Sequence, residues 1–73
     1  MYYVYVLENR YGEYYIGYTD DVERRLKQHQ REDNSYTLIY YEAYRYQELA
    51  RDRERRLKYY GSAWRGLKRR ISA

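Results

Sequence analysis

Seventy-three residues are enough for one domain and no more, and a chain of this size buries only roughly 60% of its unfolded surface. It contains no cysteine and a single histidine, which excludes a disulfide framework, thiolate metal sites and His-rich zinc chemistry. A net charge of +4 favours polyanionic partners. No apolar run approaches the ~20 residues needed to span a bilayer, so a cytoplasmic setting with no membrane partner is expected.

Residues 1–7, Met-Tyr-Tyr-Val-Tyr-Val-Leu, are β-branched and aromatic and predict a strand. They read as structure rather than as a leader peptide, because tyrosines break the apolar stretch and no cationic region precedes it. Residues 9–12 carry turn chemistry, with Gly12 able to take a positive φ. Residues 13–18 predict a second strand paired to the first as a hairpin. Gly17 inside it marks a bulge or a close approach by another backbone or a ligand. Asp20 is expected to cap a helix over 21–31, with Glu23 completing a capping box. Val22, Leu26 and His29 fall on one stripe of that helix. After a polar loop at 32–35, residues 36–44 predict a third strand. It is apolar on both faces, as a central strand would be. A second helix is expected over 46–59 with Leu49, Ala50 and Leu57 facing inward. Gly61 is expected to stop it and Ser62 to cap a third helix, 62–71, built on Trp64, Leu67 and Ile71. The fold class is α+β: a small three-stranded antiparallel sheet flanked by three helices, in the order β-β-α-β-α-α, with 1–73 forming one domain.

The chemistry-bearing residues are few. Arg25 and His29 lie four apart and share a helix face. Arginine matches phosphate oxygens and histidine exchanges a proton near neutral pH, though an ordinary solvated helix face gives the same spacing. Glu54 lies near the inward stripe of the second helix, where a carboxylate can hold a divalent cation or form an intrahelical ion pair with Arg51 or Lys58. Tyr5 and Tyr15 stand on paired strands, so their hydroxyls converge. A tyrosine in such a place moves a proton if nearby cations lower its pKa. Most of the 14 tyrosines, in a chain without phenylalanine or proline, are expected to be structural. There is no P-loop, no dinucleotide glycine fingerprint and no Ser-His-Asp or cysteine nucleophile. No cluster of acids suits a two-metal site.

Taken together, the segments resemble the GIY-YIG nuclease domain, in its small stand-alone form. Tyr3-Val4-Tyr5 and, about ten residues on, Tyr15-Ile16-Gly17 look like the paired motif. The run from Tyr18 to His29 is similar to the following helix, 50–58 resembles the second conserved helix, and 64–68 looks like the tail of stand-alone members. Tyr3 stands where the name-giving glycine would be, Tyr18 where some members carry lysine, and no asparagine matches the one in homing members. The resemblance implies an endonuclease that hydrolyses phosphodiester bonds in DNA, possible roles being repair or processing of branched or damaged structures. It implies catalytic roles for Tyr5, Tyr15, Arg25, His29 and Glu54, with Glu54 binding a single Mg²⁺ or Mn²⁺. Arg24, Lys27, Arg53, Lys58 and Tyr18 surround these positions and are expected to contact nucleic acid. A partner protein would supply targeting. The alternatives are a nucleic-acid-binding domain with little or no cleavage, and an engineered scaffold on the same fold.

Overall fold

The computed structural model describes residues 1–72. Its elements are β1 (Tyr2–Glu8), β2 (Tyr14–Thr19), α1 (Val22–Glu32), β3 (Thr37–Tyr44), α2 (Gln47–Tyr59) and α3 (Gly61–Ile71), the expected order. β1 pairs antiparallel with both other strands, giving a sheet of order β2-β1-β3. The central strand is therefore β1 and not, as expected, β3. The physical signal is the run Val4-Tyr5-Val6-Leu7, in which every residue is fully buried. β3 is an edge strand with Tyr41 and Ala43 exposed. It looks apolar on both faces partly because the β1–β3 register shifts between Val6 and Leu7. That bulge lets consecutive residues, Ile39 and Tyr40, both pack against the core.

Alternation along β1 sends Val4 and Val6 to one face and Tyr5 and Leu7 to the other. The first face meets α2 and α3 in a core of Val4, Val6, Ala50, Leu57 and Leu67, ringed by half-buried Ile16, Tyr14, Trp64 and Ile71. Each fully buried Val or Leu there contributes about 1.5–3 kcal/mol. The second face is covered by α1, which buries no residue of its own.

Several boundaries differ from expectation. Asp21, not Asp20, caps α1: its side chain accepts from the Arg24 N–H at 3.0 Å, and its own N–H donates to Thr19 Oγ1 at 3.1 Å. Asp20 instead accepts from the Arg24 guanidinium. Leu49 is 51% exposed rather than inward, because the stripe that meets the sheet runs through Ala50 and Leu57. Gly61 neither stops α2 nor precedes a Ser62 cap. The break falls at Tyr60, whose extended backbone (φ −113°, ψ 101°) ends α2 and begins α3 without a side-chain cap. Among the described residues only Gly12 has a positive φ, 77°, as its turn requires.

Candidate functional site

The paired strands bring the two tyrosine motifs together. Tyr5 lies opposite Gly17, and Leu7 opposite Tyr15. Gly17 makes room for the Tyr5 ring: a Cβ there would stand 2.5 Å from Tyr5 Oη and 2.7 Å from its ring carbon. The close approach is thus by a side chain of the neighbouring strand. Tyr5 is fully buried, with its ring stacked beside Tyr15 at 6.2 Å between centroids. The His29 ring packs on Tyr15 at 4.1 Å, and its Nε2 is hydrogen-bonded to Tyr5 Oη at 3.2 Å.

A cleft of about 520 Å³ opens along the β2 edge, between α1 and α2. Tyr15, Gly17, Tyr18, Arg24, Arg25 and Glu54 line it, with Tyr2, Thr19, Asp20 and Gln47. The three expected site residues Tyr15, Arg25 and Glu54, from β2, α1 and α2, thus share one wall, while Tyr5 and His29 form the layer behind it. Of the residues expected to contact nucleic acid, Tyr18 and Arg24 line the cleft. Lys58 stands at its rim, its ammonium 6.0 Å from the Tyr15 ring centroid. Lys27 points to a different part of α1 beside Gln28 and Arg31. Arg53 is drawn away: its Nε donates to Glu42 at 2.7 Å, and the same carboxylate accepts from the Tyr40 and Tyr44 hydroxyls. Sequence reasoning passed over Gln47, although it lies seven residues before Glu54 on the same helical stripe, and Thr19 and Asp20, which follow the second tyrosine motif.

The electrostatics follow from this layering. Burial raises the Tyr5 phenol above its ordinary pKa, and the adjacent Arg25 charge only partly opposes it. The condition of a phenol lowered by nearby cations is therefore not met at Tyr5, because desolvation outweighs the guanidinium. Hydrogen bonding to Tyr5 raises Arg25, so the guanidinium stays charged. Burial, then the Arg25 charge, lowers His29 below 6.5, leaving a neutral imidazole at pH 7. Arg25 Nη1 donates to Gln28 at 2.9 Å, but its Nε is buried without a partner. An unsatisfied buried donor costs about 1–3 kcal/mol.

Glu54 is 20% exposed at its side chain and lies 3.6 Å from Lys58 Nζ. Among the described residues no three His, Cys, Asp or Glu side chains gather as a metal cluster. Glu54 shares the open cleft with the carboxylate of Asp20, and so sparse a set of hard oxygen donors fits an ion such as Mg²⁺ or Mn²⁺ that keeps several of its waters. It does not fit zinc, which takes three or four protein ligands.

No helix among the described residues is long and apolar enough to cross a membrane. Comparison with known proteins gives the same reading as the motif geometry. Residues 1–59 match the family model of the GIY-YIG catalytic domain. Over 27 residues, 37% of this chain, the sequence is 59% identical to the UPF0213 protein BH0048 of Halalkalibacterium halodurans, a match spanning 29% of that protein's length. The solution NMR structure of the UPF0213 protein BH0048 from Bacillus halodurans superimposes with a TM-score of 0.53 and 34% identity, over 80% of this chain and 71% of that one. With the two tyrosine motifs hydrogen-bonded as adjacent strands and matched over most of its length, the chain belongs to the GIY-YIG family of nuclease domains.

Proposed function

We propose that this chain is a single-domain endonuclease, dependent on one divalent cation, that hydrolyses phosphodiester bonds in DNA. The observation that carries the reading is the convergence of Tyr15, Arg25 and Glu54 from three separate elements on one open cleft. Arg25 holds the scissile phosphate: its charge is secure and it lines the cleft, so it stabilises the charge that builds on phosphorus-bound oxygens. Tyr15 offers its hydroxyl at the cleft wall. Tyr5 and His29 form the proton route. The attacking water gives a proton to the Tyr15 hydroxyl at the cleft wall as Tyr15 passes its own inward to Tyr5 Oη, and neutral His29, with its own proton on Nδ1, accepts at Nε2 the proton that Tyr5 gives up. The water oxygen bonds to phosphorus and the P–O3′ bond breaks. Glu54 would hold Mg²⁺ or Mn²⁺, which would supply positive charge to the phosphate and the leaving 3′ oxygen. A surface cleft, rather than an enclosed pocket, suits a backbone presented at a nick, branch or lesion, consistent with DNA repair or structure processing.

The second reading, binding with little cleavage, draws on Glu54 having Lys58 as its neighbour and belonging, among the described residues, to no group of three or more potential metal ligands. Plasmid nicking by the purified protein separates the two. Nicking with Mg²⁺ or Mn²⁺, abolished by EDTA and reduced at least ~10³-fold in Glu54→Ala, is expected. Retarded but uncut DNA would move the assignment to a binding domain, and undiminished cutting by Glu54→Ala would remove the metal ligand.

A further inference from the structure

We propose that α3 is a separate docking face for the phosphate backbone of nucleic acid, seating the strand beside the cleft rather than in it. The proposal rests on the nuclease reading for the identity of its partner. Its first support is the distribution of charge. Four of the 15 basic residues, Arg65, Lys68, Arg69 and Arg70, lie in α3, which has no acid, while the remaining 11 are balanced by all 11 acids. The whole net charge of +4 therefore sits on the last helix. α1 and α2 temper their cations with acids one turn away, in the pairs Arg24–Asp20, Lys27–Glu23, Arg56–Asp52 and Lys58–Glu54. Among the described residues no α3 cation is paired with a carboxylate.

The cations are also arranged. Arg65, Lys68 and Arg69, with Ser72, follow helical spacing and line one shallow concavity of about 360 Å³. All three are exposed. The platform under them is fixed: Leu67 is buried in the core and Trp64 packs edge-on to Tyr14 at 5.2 Å. Favourable placement of cations at a helix C-terminus accounts for the last turn, worth about 0.3–1 kcal/mol per charge. It does not account for Arg65 or for the absence of any balancing acid.

Continuity with the cleft favours nucleic acid over other polyanions. Lys58 Nζ stands 6.0 Å from the ring of Tyr15 at the cleft rim, and Lys68 Nζ of α3 stands 5.2 Å from the ring of Tyr14, the adjacent residue on the same edge strand. The two ammonium groups thus link the β2 edge that bounds the cleft to the α3 face. The family-model match ends at residue 59, so this face lies outside the matched catalytic segment.

The test compares two triple variants of equal charge. One is Arg65→Gln/Lys68→Gln/Arg69→Gln. The other is Arg10→Gln/Arg31→Gln/Arg45→Gln, at exposed positions away from α3. Circular dichroism first establishes that both fold. Binding of a fluorescein-labelled DNA duplex is then measured by anisotropy in EDTA over a salt series. The α3 triple is expected to lower the slope of log K against log salt by ~2–3 and to weaken binding about tenfold or more near 0.1 M salt, whereas the control triple changes the slope by less than ~1. Equal losses in both triples, or duplex binding by the α3 triple as tight as the parent's, would overturn the proposal. So would a parent chain that binds phosphatidylserine vesicles but not the duplex. Nicking without α3-dependent binding leaves the nuclease reading intact and removes this one; α3-dependent binding without nicking does the reverse.

Discussion

The two faces of the sheet use tyrosine in opposite ways. Towards α2 and α3, Tyr40 and Tyr44 donate to Glu42, which also holds Arg53. Burial alone would raise that carboxyl, but these hydrogen bonds outweigh it and keep Glu42 below the usual carboxylate range. The polar groups there are consumed by one another at the edge of the hydrophobic core. Towards α1, Tyr5 is more deeply buried than either, yet its hydroxyl meets a titratable imidazole and lies near an arginine with an unspent donor. The packed core is therefore on one side of β1 and the proposed reactive groups on the other, separated by the thickness of a single strand. Alternation of Val4, Tyr5, Val6 and Leu7 supplies both.

The sharpest way to break this division is in the core. Leu57→Ala removes a side chain that is 2% exposed and is expected to cost about 2–5 kcal/mol in urea unfolding. Nicking at a temperature where the variant stays folded should keep the parent's rate; a loss there would mean that the two faces are coupled. Gly17→Ala attacks the other side. Its new methyl would meet the Tyr5 hydroxyl at 2.5 Å, so the ring must leave His29. The expected cost in stability is about 1–3 kcal/mol, with a fall in nicking of ~10-fold or more measured on the folded fraction. Full activity in Gly17→Ala would show that the Tyr5–His29 bond is not used. The smallest effect sharpens the comparison through pH. His29 is the one histidine, so its C2 proton can be titrated alone by NMR. Its midpoint should fall below 6.5, because of burial and then the Arg25 charge, and should rise in Arg25→Gln. The proposed proton route uses neutral His29, so nicking should decline as pH falls through that same midpoint. His29 also contributes stability that is full above the unfolded pKa near 6.5 and is lost as pH falls from there through the lowered folded value. A midpoint above 6.5, or a nicking profile indifferent to it, would remove His29 from the proton route.

Element types and their order were legible because each segment carries its own local period, and Tyr-Val-Tyr and Tyr-Ile-Gly announce paired strands. Strand order was not. The Val6/Leu7 bulge turns both Ile39 and Tyr40 to the core, so β3 imitates a doubly covered strand while the truly covered run is only Val4 to Leu7. Helix caps slipped by one because Asp20 and Asp21 are chemically equivalent in sequence, and Thr19 Oγ1 selects between them only in space. In the site, local spacing puts Arg25 and His29 on one face, but nothing local joins them to Glu54; the family resemblance supplied that link. Arg53 illustrates the limit. Its neighbours in sequence are other charges, and the acid that claims it stands 11 residues earlier on a strand.

α1 carries Arg25 and His29 yet buries no side chain, and that has an evolutionary consequence. Its outward positions Glu23, Lys27 and Arg31 are exposed and contribute to no packing that a replacement would spoil, since exposed substitutions usually stay within about ±0.5 kcal/mol. The helix can therefore accumulate changes in how it meets a substrate while the opposite layer preserves the fold. In a chain of 73 residues, that separation leaves one whole helix surface free to diversify.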